Sequence, residues 1–272
     1  MINFQRLLRT VALATTLLFF TAFANAQEEP KKFTMAWSIY VGWMPWAYID
    51  ETGIMDKWAE KYGIEVELRQ INDYIEAINM YTAGRFDGAT MTNGDMLTIP
   101  SASGVDTTAL ITGDFSNGND AVVLRNRDKL EDIKGLDVYL LELSVSHYTL
   151  ARALDFAGLT ERDVRVVNTS DVDYASLFND ANVQAATVWN PALAEVMKNP
   201  EANIVFDSTQ IPGEILDIMA VNSETLKAHP ELGKAMTGAW FEAMTIISSD
   251  TPQGLAARKM MAEAAGTDLD GL

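Results

Sequence analysis

A two-lobed α/β fold, with mixed sheets flanked by helices, is what this sequence of 272 residues predicts. Three observations carry that prediction. Short apolar strand segments alternate with amphipathic helical ones along most of the chain. The alternation runs twice, in two successive arrays of about 90 residues each. The strands of both arrays end in acidic, aromatic or amide-bearing loops, and ligands in sheets of this kind sit outside the strand carboxyl ends.

A leader precedes the first array. Arg6 and Arg9 form a positive n-region, residues 11–23 form an apolar stretch with Leu17, Leu18, Phe19 and Phe20, and Ala24-Asn25-Ala26 is a small-x-small cleavage site. The run is too short for a comfortable membrane span. We therefore expect a cleavable signal peptide over residues 1–26, a mature start at Gln27 and export to a periplasm. No cysteine follows the cleavage site, which excludes lipid attachment there.

Residues 33–37 read as a first buried strand, and residues 46–62 as one amphipathic helix stopped by Gly63. Ile64-Glu65-Val66-Glu67-Leu68 alternates as a strand, residues 74–83 form a helix ended by Gly84, and residues 86–92 enter a short strand. Residues 108–112 and 121–124 are further strands. The second array repeats the logic, with strands at 137–141, 164–167, 185–189, 204–206 and 218–221. Helices cover 144–157, capped by Ser144 and stopped by Gly158, then 173–179 and 191–197, with helical segments at 230–249 and 252–265. The expected division is lobe 1 over 27–115, lobe 2 over 116–214 and a return to lobe 1 over 215–272. Its hinge crossovers lie near 113–120 and 210–217. The return reads as incomplete, a chain truncated at its C-terminus.

Composition narrows the function classes. The formal charge is −18, and loss of two leader arginines takes the exported chain near −20. Nucleic acid and anionic lipid need a basic footprint and are excluded as partners. With no cysteine, thiolate metal sites, cysteine nucleophiles and disulfides are excluded, and stability rests on core size. Only His147 and His229 are present, so a zinc-protease helix is absent. No nucleotide or dinucleotide fingerprint occurs, and no cofactor, metal or catalytic residue is expected.

Several fragments together carry a resemblance. They are Trp37-Ser38-Ile39-Tyr40-Val41-Gly42-Trp43, Ala83-Gly84-Arg85-Phe86-Asp87-Gly88, Ile133-Lys134-Gly135-Leu136-Asp137-Val138, Ser144-Val145-Ser146-His147, the Trp189-Asn190-Pro191 turn and His229-Pro230-Glu231. In this order and spacing they resemble a periplasmic substrate-binding protein of an ABC importer, in the nitrate/sulfonate/taurine/thiamine-precursor-like superfamily. Gly42-Trp43-Met44-Pro45-Trp46 and Thr92-Asn93-Gly94-Asp95-Met96 resemble the branch encoded beside urea carboxylase, linked to urea and guanidine. The resemblance implies a type II periplasmic binding protein fold, a monomer delivering a small solute to permease transmembrane subunits, and a family normally longer at its C-terminus.

The residues themselves speak to the ligand. Relatives that bind oxyanions need donors and positive charge. Here the strand-end loops carry Asp95, Asp114 and Asp120, Asp217 lies at the return crossover, and Glu142 stands before the 144–157 helix. Trp37, Tyr40, Trp43, Trp46 and Trp189 supply flat walls. Carboxylates accept the N–H fork of a planar cation and indoles stack on its plane. The candidate ligand residues are therefore these five aromatics with Asp95, Asp114, Glu142, Asp217, Ser144, Ser146, His147, Asn93 and Asn190. For urea, which needs a donor to its oxygen, Asn93, Asn190, Ser146 and His147 are the candidates. Guanidinium stands slightly ahead of urea, and Glu142 is expected to carry much of its charge-assisted binding. The alternatives are another solute, such as a sulfonate or thiamine precursor, a receptor-coupled sensor, or a same-fold enzyme. The enzyme relatives have a cysteine-rich segment or lack an export signal, and this chain shows neither feature.

Overall fold

The computed structural model describes residues 30–272, of which Lys32–Leu272 form one compact unit. The expected leader over residues 1–26 and the Gln27 start lie outside the described residues. Among the described residues, no helix is long and apolar enough to cross a membrane.

Strand β1 (Lys31–Trp37) is buried from Met35 onward and leads through a tight turn at Val41–Trp43 into helices α1 (Pro45–Glu51) and α2 (Ile54–Lys61). The single helix expected over 46–62 is thus two. Gly53 adopts φ +67°, which glycine reaches without a Cβ penalty and which reorients the second helix. Next come β2 (Ile64–Gln70), α3 (Tyr74–Thr82), β3 (Gly88–Thr92) and α4 (Asn93–Met96), the last widening into a π turn over Leu97–Ser101 that holds Pro100. Asp73 caps α3 by accepting from Glu76 N (2.8 Å), and Thr92 caps α4. Strand β4 (Thr107–Phe115) runs longer than its apolar core implied.

The chain then crosses to β5 (Asp120–Arg125), β6 (Asp137–Leu140), α5 (Val145–Phe156), β7 (Arg165–Asn168), β8 (Ala185–Trp189), α6 (Ala192–Val196) and β9 (Ala202–Asp207). The expected helix at 173–179 is a 3₁₀ stretch, Asp171–Asn179. A second crossing leads to β10 (Leu216–Asn222), followed by α7 (Ser223–Ala228), α8 (Pro230–Ile247) and α9 (Pro252–Ala264). Helix α7 was not anticipated. It is too short for a periodic signal, and its start is set by Asn222, whose side chain accepts from Glu224 N and Thr225 N.

Two five-stranded mixed sheets result, ordered β2-β1-β3-β10-β4 and β7-β6-β8-β5-β9. Both are built alike. Parallel strands occupy one side, and the next-to-last strand, β10 or β5, is antiparallel to both its neighbours. In each sheet that antiparallel strand is the one arriving from the other sheet. Helix α8 seals the first sheet with Leu232, Ala235, Met236, Ala239, Trp240, Ala243 and Ile247, a stripe at three- and four-residue spacing. Trp240 meets Trp46 at 4.9 Å between ring centroids, and Gly238 lets Trp58 lie against the helix backbone. Truncating a tryptophan buried like Trp46 costs about 3–5 kcal/mol.

In the second sheet, Arg125 is buried. Its guanidinium donates to the carbonyls of Val183 (2.8 Å), Phe178 (2.8 Å) and Asp180 (3.0 Å) and pairs with Glu201. This arginine, at the opposite end of β5 from Asp120, holds the loop before β8.

Candidate ligand site

Strand register assembles the site. Residues directly opposite in an antiparallel pair project to the same face. Asp217 at the start of β10 lies opposite Thr92 at the end of β3 and opposite Asp114 near the end of β4. Three polar side chains thereby form a row across the first sheet. In the second sheet, Asp120 opens β5 opposite Trp189, which ends β8. One enclosed cavity is walled by Thr92 and Asp217 from the first row, Asp120 and Trp189 from the second, and Tyr40, Trp43, Tyr74 and Val145. Its volume is about 10 Å³, close to the space of a single water.

Two glycines permit this arrangement. The register between Asp217 and Ile218 skips Gly113, a bulge that sets Asp114 opposite Asp217. Gly42 lies so close to Asp114 that an added Cβ would meet its Oδ2 at 2.5 Å.

The aromatic wall is a continuous set. Trp43 lies 5.1 Å from Tyr40 and 5.4 Å from Tyr74, while Trp189 takes Tyr74 and Tyr174 edge-on at 5.7 and 5.0 Å. Tyr74 also organises polar groups: its hydroxyl donates to Asp95 Oδ2 (2.5 Å) and accepts from Thr92 N (3.0 Å). The Tyr174 hydroxyl accepts from Leu141 N and donates to Ser146 Oγ.

Acidity dominates the electrostatics. Asp95, Asp120 and Asp217 are 4%, 2% and 1% exposed, and no lysine or arginine lines the cavity. Burial pushes Asp120 up to about 7, moderated by the Ser116 hydroxyl that donates to it. Burial pushes Asp95 up to about 6 against the hydrogen bonds from Tyr74 and Thr92. Asp217 stands well above the carboxylate range through burial and through a hydrogen bond shared with Asp114. Trp43 Nε1, Asp120 Oδ1 and Asp217 Oδ2 find no hydrogen-bond partner among the described residues. Indole donor and carboxylate acceptors alike are left for a guest with polar edges.

The remaining candidates from the sequence distribute as follows. Asp114 backs Asp217 from behind the cavity, and Asp95 is held one layer out by Tyr74 and Thr92. Asn93 clasps the second crossing, accepting from Leu216 N (3.0 Å) and donating to Glu214 O (3.1 Å). Ser144 caps α5, and Ser146 is buried against Tyr174. Ser144 and His147 line a separate, wider cleft of about 610 Å³ beside the cavity, together with Asn93, Asp95 and Glu214. The His147 Nδ1 accepts from Leu143 N, and its Nε2 faces Glu161 at 3.5 Å.

Four further candidates also lie off the wall. Trp46 turns into the core, packed against Trp240 of α8. Trp37 is buried but does not line the cavity. Asn190 ties Asn119 to the start of α6. Glu142 is exposed: only its backbone is engaged, with Asn168 Oδ1, so its carboxylate does not reach the cavity. The acid that does reach it from the second sheet is Asp120. Sequence alone does not mark Tyr74, Thr92 or Tyr174, since each comes from an element whose neighbours only the tertiary fold supplies. The one local hint was an acid opening the otherwise apolar run Asp120-Ala121-Val122-Val123-Leu124.

The two crossings are pinned together. Ser208 Oγ accepts from Gly118 N (2.7 Å) and lies 2.8 Å from Ser116 Oγ, while Ser116 N donates to Ile215 O (3.0 Å).

Comparison with known proteins agrees with this architecture. The "Taurine-binding periplasmic protein" of Escherichia coli (strain K12) is 22% identical over 236 residues, covering 86% of this chain and 72% of that protein. Among solved structures, the alkanesulfonate-binding protein SsuA from Xanthomonas axonopodis pv. citri, bound to MOPS, superposes with a TM-score of 0.72 at 16% identity, over 89% of this chain and 82% of that one. The periplasmic nitrate-binding protein NrtA from Synechocystis PCC 6803 gives 0.71 at 11% identity, over 90% and 69% of the two chains. The fold is thus the periplasmic binding protein fold, and a family model spans residues 26–265. The chain belongs to the NMT1-like family.

Proposed function

We propose that this protein is the extracytoplasmic solute-binding component of an ABC importer, and that its ligand is a small planar N–H-rich cation of the guanidinium class. It captures the solute between its two sheets, leaves it chemically unchanged and delivers it to permease subunits. The names of its relatives support the transport role and the periplasmic setting. One observation carries the ligand class: an unpartnered carboxylate oxygen from each sheet, Asp120 Oδ1 and Asp217 Oδ2, enters one aromatic cavity that no basic side chain lines.

The chemistry follows from that wall. Ionised carboxylates accept paired N–H donors, and the faces of Trp43, Tyr74 and Trp189 suit a flat cation. The named relatives bind taurine, an alkanesulfonate buffer and nitrate. Here such an oxyanion would face two buried acids without a counter-charge, at a cost on the order of several kcal/mol. Urea, with the same shape and no charge, is the neutral analogue and binds more weakly. A solute larger than one water enters only if the sheets part, which assigns hinge duty to the crossings at 115–120 and 207–216.

Titration calorimetry at pH 8 with guanidinium, urea, taurine and nitrate tests this reading. Tight binding of guanidinium and none of the anions is expected. Tight binding of taurine or nitrate, with guanidinium and urea ignored, refutes the ligand class and leaves the fold untouched.

A further inference from the structure

We propose that the cleft is held open by repulsion between acids of opposite sheets, Asp120 from one and Asp217 with Asp114 from the other, so that either protons or the cationic ligand closes it. This rests on the reading of the cavity as the ligand site.

The geometry leaves few other ways to close. Asp120 and Asp217 share a space of about 10 Å³, room for about one water, where bulk solvent screens them little. The titratable groups facing them are all acidic or phenolic: Asp114 from β4, Asp95 from the start of α4, Tyr40 after β1, Tyr74 from α3, and Tyr174 beside Trp189. Burial keeps all three phenols protonated, so none adds charge or removes it. In the neighbouring cleft His147 accepts at Nδ1 from Leu143 N, and nearby Arg152 pairs with Glu214. Among the described residues, no cationic side chain neutralises a closed, ionised pair.

Two neutralisers suffice. A cation bridging Asp120 and Asp217 contributes its charge from outside. Protons do the same: Asp120 pushed up to about 7 and Asp95 up to about 6 take them up as pH falls through that range, with Asp217 raised in the same direction. Protons and ligand therefore compete for the same carboxylates, and binding near neutral pH releases protons.

Small-angle scattering of the ligand-free protein at pH 5 and pH 8 reads the closure. The radius of gyration should fall toward about 18 Å, the value for a compact chain of this length, at pH 5, and should be larger at pH 8. Guanidinium chloride added at pH 8 should restore the smaller value. Asp120→Asn and Asp217→Asn should each be compact at both pH values without ligand, and either one that folds suffices. Calorimetry of guanidinium binding at pH 7 in two buffers of different ionisation enthalpy should show net proton release. If guanidinium compacts the protein at pH 8 while the ligand-free radius is the same at pH 5 and pH 8, the gating fails and the ligand reading stands. If low pH and the Asn variants compact the protein but guanidinium neither binds nor compacts it, the ligand reading fails and acid repulsion stands. If no condition changes the radius, the gating is overturned.

Discussion

Replacing Asp120 with Asn tests the acid site through stability alone, with no ligand present. In the folded protein Asp120 is fully buried, beside Asp95 and Asp114, with a carboxyl pushed up to about 7. An unfolded aspartate ionises near 3.9. Because the folded value is the higher one, the protonated form favours folding. Its contribution is complete below about pH 4 and is lost as pH rises toward about 7. At pH 8 the full difference corresponds to about 4 kcal/mol of destabilisation. Asp95 and Asp114 share part of that cost and opening of the cleft at pH 8 relieves part of it, so half, about 2 kcal/mol, is the working figure. Asparagine stays neutral, and its Oδ1 still accepts from the Ser116 hydroxyl that now donates to Asp120. For a chain of this size about 2 kcal/mol raises the melting midpoint by about 4–8 °C. Asp120→Asn should therefore gain that much at pH 8 and close to nothing at pH 4. Thermal scanning is the assay of choice, since the usual denaturants, urea and guanidinium, are the candidate ligands. A midpoint lowered at pH 8, or shifted equally at both pH values, refutes the reasoning.

Other substitutions separate the parts of the site. Glu142→Gln should leave guanidinium affinity within about twofold by calorimetry, below the tenfold that 1.4 kcal/mol would give, because Glu142 is exposed outside the cavity. Gly42→Ala places a Cβ 2.5 Å from Asp114 Oδ2 and displaces the acid behind Asp217. Calorimetry should read a loss of about tenfold in affinity, in line with an overpacking cost of about 1–3 kcal/mol. Tyr74→Phe strips Asp95 of a donor and Thr92 N of its acceptor, both buried. It should destabilise by about 1–3 kcal/mol in thermal scans. Arg125→Met leaves the carbonyls of Val183, Phe178 and Asp180 without their donor and should cost more than about 3 kcal/mol, with guanidinium affinity of the folded fraction preserved.

Much of the architecture is readable because local chemistry marks it. Glycines at 63, 84 and 158 adopt positive φ where the helical patterns stop, and Ser144 caps α5 as its type and place imply. The break at Gly53 is masked in sequence by apolar residues that continue helical spacing across it, so that 46–62 reads as one helix. The site is less legible, and for a different reason. Tyr40 and Trp43 sit in one aromatic loop, but Asp120, Trp189 and Asp217 become neighbours only through pairing of β8 with β5 and through closure of one sheet on the other. Glu142 and Asp120 both precede apolar segments and look equivalent in sequence. Their difference is which way the backbone points them: Leu143 adopts φ +61° at the rim, whereas Asp120 is already inside a ladder.

The position of β10 has a consequence for how the molecule comes into being. Strands β3 and β4 do not touch: β10, contributed by Leu216–Asn222, lies between them. The second sheet draws all its strands from one continuous stretch, Asp120 to Asp207, and can pair as soon as that stretch exists. The first sheet, though encoded earlier, stays divided until residue 222 arrives, with two backbone edges facing a missing centre. A chain emerging from its N-terminus thus completes its later half before its earlier one. During that interval the unpaired edges of β3 and β4 are the places where a second molecule can add a strand. Aggregation in production should therefore be sensitive to residues of β10 and indifferent to equally buried residues of β8.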